Sequence, residues 1–436
     1  MNLTVNGKTS IGIIGAGISG VSFARLVSDK GCQATVYEQN PRPGGLIQCD
    51  LVQGSLFHKV GGHVFNSKNE KVLKWFWSHF DKDNEFIPAV RNAVIYLDGE
   101  FIGYPIEFNL DQIDSALVTT ITTELHELIR IGGTNSGFHA NFYEFLLSSF
   151  GKTLCDLYFF PYNHKIWKTD LTQVPLDWLE GKLPMTSPGQ ILLNLEEVKQ
   201  SDSMVHSTFF YPLSGGSQFI IERLSADLDL VNQCIHSITI DDGRVILNRD
   251  KNLAHEILVY TGDIRRLIAM LSDRDLQTLG LDAADMASMK DLPSNSTSTM
   301  LCECDVNPYS WIYIPDPEIK IHRIIMTGNF SHANTSPQIN KGRTTCTIEH
   351  SGYLSFDDMA LEAKKLPFTM KPLSYNYCEN SYVVHSPRTS SVVNTLRQKL
   401  QKGGIYCLGR FSEWQYYNMD AAIESAMNLV DSIVQP

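Results

Sequence analysis

One glycine pattern near the start of the chain constrains the fold more than any other feature: Gly15-Ala16-Gly17-Ile18-Ser19-Gly20 reads GxGxxG. Glycines are common at turns, so the context decides what the pattern means. An apolar β-type run over residues 10–14 precedes it, a helical stretch over 21–30 follows, and a strand over 33–37 ends in Glu38, 18 residues beyond Gly20. That order is the βαβ context of a dinucleotide-binding turn. Gly15 allows the tight turn, Gly17 lets a pyrophosphate approach the backbone, and Gly20 lets helix and strand pack closely. The helix N-terminus offers free N–H groups to anionic oxygens. Glu38 is placed to accept hydrogen bonds from ribose hydroxyls.

The next stretch separates FAD from NAD. Arg42-Pro43-Gly44-Gly45 follows Glu38 at once, and paired glycines permit a second close approach of backbone to a cofactor. Two later strands repeat the theme. Residues 253–260 run into Thr261-Gly262-Asp263 and a helix over 264–271; residues 404–408 end in Gly409-Arg410, followed by an aromatic loop and a helix over 420–434. The last helix places a further N-terminus where it can face a flavin ring. Residues 105–200 are helix-like, with 111–131 and 142–166 apolar at 3.6-residue spacing. Residues 295–390 are strand-like, including 298–304, 311–314 and 343–350.

The expected class is α/β, with a discontinuous Rossmann-type FAD-binding domain (1–104, 205–294, 395–436), a helix-rich segment (105–204) and a strand-rich segment (295–394). A chain of 436 residues with 43% hydrophobic and 19% charged residues supports several such cores. Its formal net charge of −12 argues against a nucleic-acid binder, so an anionic ligand must meet local arginines. Nine cysteines lack paired spacing, and Cys302 and Cys304 read as alternate core positions of a strand, so no metal site is expected. The apolar run 11–27 starts late, has no basic leader or cleavage site, and is broken by Ser19, Ser22 and Arg25. A cytoplasmic protein without membrane insertion is expected; homo-oligomerisation is left open.

Taken in order, the motifs resemble UDP-galactopyranose mutases over nearly the whole chain. Beyond the two glycine motifs they are Lys59-Val60-Gly61-Gly62-His63-Val64-Phe65, Gly103-Tyr104-Pro105-Ile106, Pro161-Tyr162-Asn163-His164-Lys165-Ile166-Trp167, Tyr211-Pro212-Leu213-Ser214-Gly215-Gly216, Tyr260-Thr261-Gly262, His322-Arg323-Ile324-Ile325, and Gly409-Arg410 through Tyr416-Tyr417-Asn418-Met419-Asp420. The resemblance implies an FAD-dependent isomerase that interconverts pyranose and furanose forms of a nucleotide sugar, without net redox change, in surface-polysaccharide synthesis. In that chemistry N5 of reduced FAD attacks the anomeric carbon, displaces the nucleoside diphosphate and carries the sugar as an adduct.

By the same resemblance the fold has three parts, the FAD-binding domain, a helical domain with a mobile substrate loop (105–204) and an antiparallel sheet substrate domain (295–394), and His63, Arg323 and Arg410 are catalytic. Gly15, Gly17, Ile18, Ser19, Gly20, Glu38, Gly44, Gly45, Leu46, Gly62, His63, Gly262, Gly409, Arg410 and Met419 hold the cofactor. Tyr162, Trp167, Thr186, Arg323, Tyr382 and Tyr416 bind substrate. Three positions depart from the family pattern: Thr186 stands where a loop arginine is expected, Asn66 where many relatives have a second histidine, and Asn418 in place of an aspartate. Lys182 or Lys168 is a candidate replacement for the missing charge. Residues 181–192, with Gly181, Pro184, Pro188 and Gly189, read as a mobile lid rather than a packed element. An oxidoreductase of the amine-oxidase and protoporphyrinogen-oxidase type, and a non-enzymatic flavin-bound scaffold, are the competing readings.

Overall fold

A computed structural model describes residues 9–132, 141–176, 186–196 and 208–434. The opening strand, Ile11–Ile14, runs at the centre of a five-stranded parallel sheet. It pairs on one side with Ala34–Glu38, which in turn pairs with Asp229–Asn232, and on the other with Ile257–Tyr260, which pairs with Ile405–Cys407. Three separate stretches of chain therefore build one sheet. Strands this apolar are buried on both faces, as parallel strands must be. The helices Ile18–Asp29 and Met419–Ile433 pack on one face; Ile264–Met270 and Thr389–Gln401 contribute to the cluster on the other.

A second sheet has seven strands in the order Lys371–Val383, Ser294–Asp305, Arg343–Ser351, Arg323–Ile325, Trp311–Tyr313, Ala93–Leu97, Glu100–Gly103. All its ladders are antiparallel except that of Ala93–Leu97 with Trp311–Tyr313. The two strands between residues 93 and 103 come from the stretch that the sequence reading joins to the first nucleotide-binding segment. Cys302 and Cys304 both point into the core on one face of this sheet, where Cys302 opposes Cys346.

The helical part is built from Ser115–Arg130, Phe142–Leu154 and Phe160–Trp167, and its aromatic core runs onto the sheet through Trp311 and Tyr313. The predicted single helix over 142–166 is interrupted. Gly151 has a φ of +76, and residues Cys155–Phe159 widen into a π turn before Pro161 enters the next helix near its start. Periodicity alone cannot register such a widening, because the apolar face continues through it. No described helix is long and apolar enough to cross a membrane.

Candidate functional site: a dinucleotide cradle opening onto an arginine-lined groove

The GxGxxG turn folds as its spacing requires. Gly15 has a φ of +103, and a Cβ there would lie 2.4 Å from the Thr261 hydroxyl. A Cβ on Gly20 would lie 2.1 Å from the Gly15 carbonyl oxygen, so only glycine lets the helix cross the strand at this distance. Gly17 differs from both. The nearest other atom to a Cβ there is the Gly45 Cα at 3.9 Å, which leaves the space in front of Gly17 open. Gly17 is also the N-cap of the first helix, whose first turn has neither a side-chain cap nor an acidic residue. The orphan N–H groups of that turn are left for an anion.

A cavity of about 220 Å³ lies before this turn. Of the expected cofactor residues, Gly15, Gly17, Ile18, Ser19, Glu38, Gly44, Gly45, Leu46, His63, Gly262, Arg410 and Met419 line it. Gly20, Gly62 and Gly409 stand behind it. Gly62 packs on Ile325, and Gly409, at a φ of +94, would place a Cβ 2.5 Å from the Ser19 hydroxyl. Glu38 is buried and accepts from the Ala16 N–H at 2.8 Å and the Asn40 N–H at 2.9 Å, which fixes its carboxylate at the strand end. The helix Met419–Ile433 also opens on the cavity, through Asn418, Met419 and Ala422, and likewise lacks a side-chain cap. Two uncapped helix N-termini thus converge on one space. The sequence reading missed Gln39, Asn40, Ile47, Thr261, Phe411, Tyr417 and Ala422 among the lining residues. Thr261 and Tyr417 stand within quoted motifs and the others within two residues of a motif residue, and that proximity was the only signal available.

At the far end of the cavity His63 meets the second sheet. Burial, then the Arg410 and Arg323 cations, push its imidazole down to about 4, against the smaller pull of Glu349 and a hydrogen bond with the Leu46 backbone. The ring is therefore neutral near pH 7, and its Nε2 is buried without a partner. Arg323 lies close by, its Nη2 3.5 Å from where a Gly61 Cβ would be.

Arg323 is not directed at open space. Its Nη2 donates to both Glu349 oxygens at 2.8 and 3.0 Å and to the Tyr382 hydroxyl at 2.7 Å, and that hydroxyl donates to Glu349 at 3.0 Å. His322 Nε2 joins Glu349 from the other side at 3.1 Å. Burial alone would raise the Glu349 carboxyl; the Arg323 and His322 charges and hydrogen bonds overcome it and hold the group well below the usual carboxylate range. The charge of Arg323 is thus met internally, as one of the two readings of a strand-borne arginine allowed. Its Nε remains buried and unpartnered, and about a fifth of the side chain (21%) stays accessible. Glu349 was not singled out in the sequence. An acid closing the otherwise apolar and hydroxyl-bearing run of residues 344–349 was the available signal; its register with Arg323 is visible only in the structure.

Arg410 is held differently, by carbonyls. Its Nη1 donates to Ser381 O at 2.9 Å and its Nε to Tyr417 O at 3.1 Å, while the guanidinium lies 5.0 Å from the Tyr416 ring centroid. The expected substrate aromatics gather beside these two arginines. Tyr382 and Tyr416 stack at 5.7 Å and 11°, Trp167 meets both rings edge-on, and Tyr162 lies between Tyr313 at 5.5 Å and His322 at 6.5 Å.

The lid expectation needs correction where it can be judged. Residues 181–185, Lys182 included, lie outside the described residues. Residues Pro188–Glu196, which the lid was expected to include up to 192, form a packed helix with Pro188, Ile191 and Leu192 buried. Its start was legible: Ser187-Pro188-Gly189-Gln190 is a capping box with proline at the first helical position. The Ser187 N–H donates to Gln190 Oε1 at 3.0 Å, and the Gln190 N–H donates to Ser187 Oγ at 3.3 Å. Pro188 and Gly189 had been read as hinge chemistry when they were helix-entry chemistry. Thr186 is 7% exposed at this entry, and Lys168 is engaged with His350 Nε2 at 3.3 Å. Asn66 donates to the Thr208 carbonyl at 2.8 Å, which ties two stretches of backbone together.

Comparison with known proteins fits this arrangement. A family model described as an NAD(P)-binding Rossmann-like domain matches residues 13–80. The protein named "Probable UDP-galactopyranose mutase" of Klebsiella pneumoniae is 28% identical over 180 residues, 40% of this chain and 45% of that protein. A dTDP-fucopyranose mutase of Escherichia coli is 27% identical over 177 residues, again 40% of this chain and 45% of its own length. The chain's match thus spans less than half the length of these relatives. A solved structure of reduced UDP-galactopyranose mutase superposes with a TM-score of 0.85 at 21% identity, covering 97% of this chain and 93% of that one. The fold class expected from the motifs, α/β with a Rossmann-type domain, helices and a separate sheet, is the one observed, and the resemblance to the mutases holds.

Proposed function

We propose that the protein binds FAD in the cradle and acts as a mutase on a nucleotide sugar, interconverting pyranose and furanose rings. One observation carries this reading. The cradle ends at His63 and Arg410, and immediately beyond stand Arg323 and Tyr382 of the second sheet with Tyr416 of the loop before the last helix, which we read as the cationic, aromatic wall of a substrate groove. A dinucleotide flavoenzyme that only passed electrons would not need arginines and tyrosines gathered at that point. The proposed division is the sequence-derived one, with residues 93–103 counted with the substrate sheet.

The residues present fit the cofactor. The open face of Gly17 and the uncapped, acid-free N-terminus of Ile18–Asp29 suit a pyrophosphate, Glu38 suits a ribose, and His63, whose buried Nε2 has no partner, lines the same cavity. When bound and reduced, FAD supplies a nucleophilic nitrogen for the anomeric carbon. The chain's own residues do the rest. Arg323 and Arg410 offset the negative charge that develops on a departing nucleoside diphosphate. Glu349 keeps Arg323 fixed and charged before substrate arrives, so no reorganisation is needed at the moment of reaction. The neutral His63 presents a single hydrogen-bonding nitrogen without adding a third positive charge. Stacked Tyr382 and Tyr416, edge-on to Trp167, exclude water from the reacting centre.

Dithionite-reduced protein incubated with UDP-galactose or UDP-N-acetylgalactosamine and resolved by chromatography tests the reading. A furanose product formed only in the reduced state is expected. Turnover of amine or alcohol substrates by the oxidised protein, with no furanose from reduced protein, would establish the oxidoreductase reading instead.

A further inference from the structure

Arg323 and Arg410 do not exhaust the cations beside the groove. Arg91, in the link between the strands Phe86–Val90 and Ala93–Leu97, lies with its guanidinium carbon 4.9 Å from the Trp311 ring centroid, 5.5 Å from Tyr104 and 5.9 Å from Tyr313. It donates to the Tyr313 hydroxyl, and its Nε is buried without a partner. Three other enclosed arginines have an acid, Arg323 with Glu349, Arg265 with Asp263, and Arg343 with Glu303 and Asp305, while Arg410 is held by the Ser381 and Tyr417 carbonyls. Among the described residues Arg91 has no acid. Aromatic faces and one phenol offset part of its desolvation, and a neutralising anion would offset the rest.

Its position relates it to the groove. Tyr313 is the register partner of Arg323, and Arg323 of Glu349. Directly opposed residues share a face of a sheet, so Glu349, Arg323 and Tyr313 form one row, with Tyr162 lying against it and Arg91 at its end. Trp311 and Tyr313 are buried, whereas Arg91 and Tyr104 keep part of their surface open. The cation therefore sits at the mouth of the row. Resting on the nucleotide-sugar reading above, we propose that Arg91 is an anion-binding residue at the distal end of the groove, gripping the nucleotide-side phosphate of a nucleoside diphosphate whose sugar-side phosphate lies at Arg323. It places a fixed positive charge on the sheet in a chain whose position 186 carries a neutral, buried threonine.

Calorimetric titration of UDP and of uridine into the flavin-loaded protein, Arg91→Gln and Arg91→Lys, at two salt concentrations, tests this. For Arg91→Gln the Kd for UDP rises about tenfold or more, that for uridine changes less than about twofold, and the salt dependence of UDP binding becomes shallower. Arg91→Lys falls between, because a lysine keeps the charge without the planar fork. UDP binding unchanged in Arg91→Gln, with the parent binding normally, overturns the proposal and leaves the nucleotide-sugar reading standing. Failure of the parent to bind UDP contradicts both. Should Arg91→Gln not fold, Arg91→Lys decides, and equal losses for UDP and uridine in that variant overturn the proposal.

Discussion

The proposed dinucleotide cradle and the proposed substrate groove are built by opposite strategies. Most of the cradle comes from one local stretch, residues 11–47, in which glycine spacing, strand and helix lie next to each other in sequence, and later strands only complete its wall. The groove has no local core. Tyr162 and Trp167 come from a helix, Arg323, Glu349 and Tyr382 from three strands of one sheet, Arg410 and Tyr416 from the loop before the last helix. On the proposed reading the cradle would recognise its ligand with backbone, through N–H groups and missing side chains. The groove does so with side chains whose charges must be held in place by one another. A backbone site fails when something is added to it, and a side-chain site fails when something is removed.

The largest expected effect follows from adding. Gly17→Val sets a branched side chain in the open space that the backbone keeps for the pyrophosphate, and should abolish flavin retention. The visible flavin absorbance of the purified variant reads this directly. A full flavin spectrum would show that the cradle is not a backbone site.

Removing a partner in the groove comes next. Glu349→Ala leaves Arg323 and His322 buried beside a lost carboxylate, and breaking such a pair costs about 4 kcal/mol. Thermal unfolding should register the loss, and UDP added to the variant should restore part of it by supplying an anion to Arg323. A variant as stable as the parent, with unchanged UDP affinity, would mean that the row on the sheet is not electrostatically coupled.

The difference between the regions is also a difference in legibility. Gly15, Gly17, Gly20 and Glu38 could be read from spacing, because their roles are properties of a turn and its flanking strand. Arg323 and Arg410 were found through resemblance. Glu349 and Arg91 escaped, because what distinguishes them is a cross-strand register and an enclosure, neither of which spacing along the chain expresses. The helix at Pro188–Glu196 was misread for another reason: proline and glycine signal both turns and helix entry, and only the Ser187–Gln190 reciprocity separates the two.

A smaller effect comes from Glu107, on the turn Ile106–Phe108 beneath the helical part. Its carboxyl is buried, both oxygens lack partners, and burial pushes it up to about 7, near the Tyr104 and Tyr158 hydroxyls. A raised carboxyl favours the folded state while protonated. Its contribution is therefore full below the unfolded value of about 4.5 and is lost as pH rises through about 7. The loss amounts to at most about 3 kcal/mol. Glu107→Gln should flatten the fall of the melting temperature between pH 5 and 8; an unchanged pH profile would place the ionising group elsewhere.

The central claim is that cradle and groove form one site, joined at His63, Arg323 and Arg410. Titrating UDP into the flavin-loaded protein while recording the flavin absorbance tests it most directly. A saturable spectral change is predicted, competed by UDP-galactose and lost in Arg323→Ala while flavin content stays nearly intact. UDP that binds by calorimetry with no perturbation of the flavin, or with equal affinity in Arg323→Ala, would contradict the account.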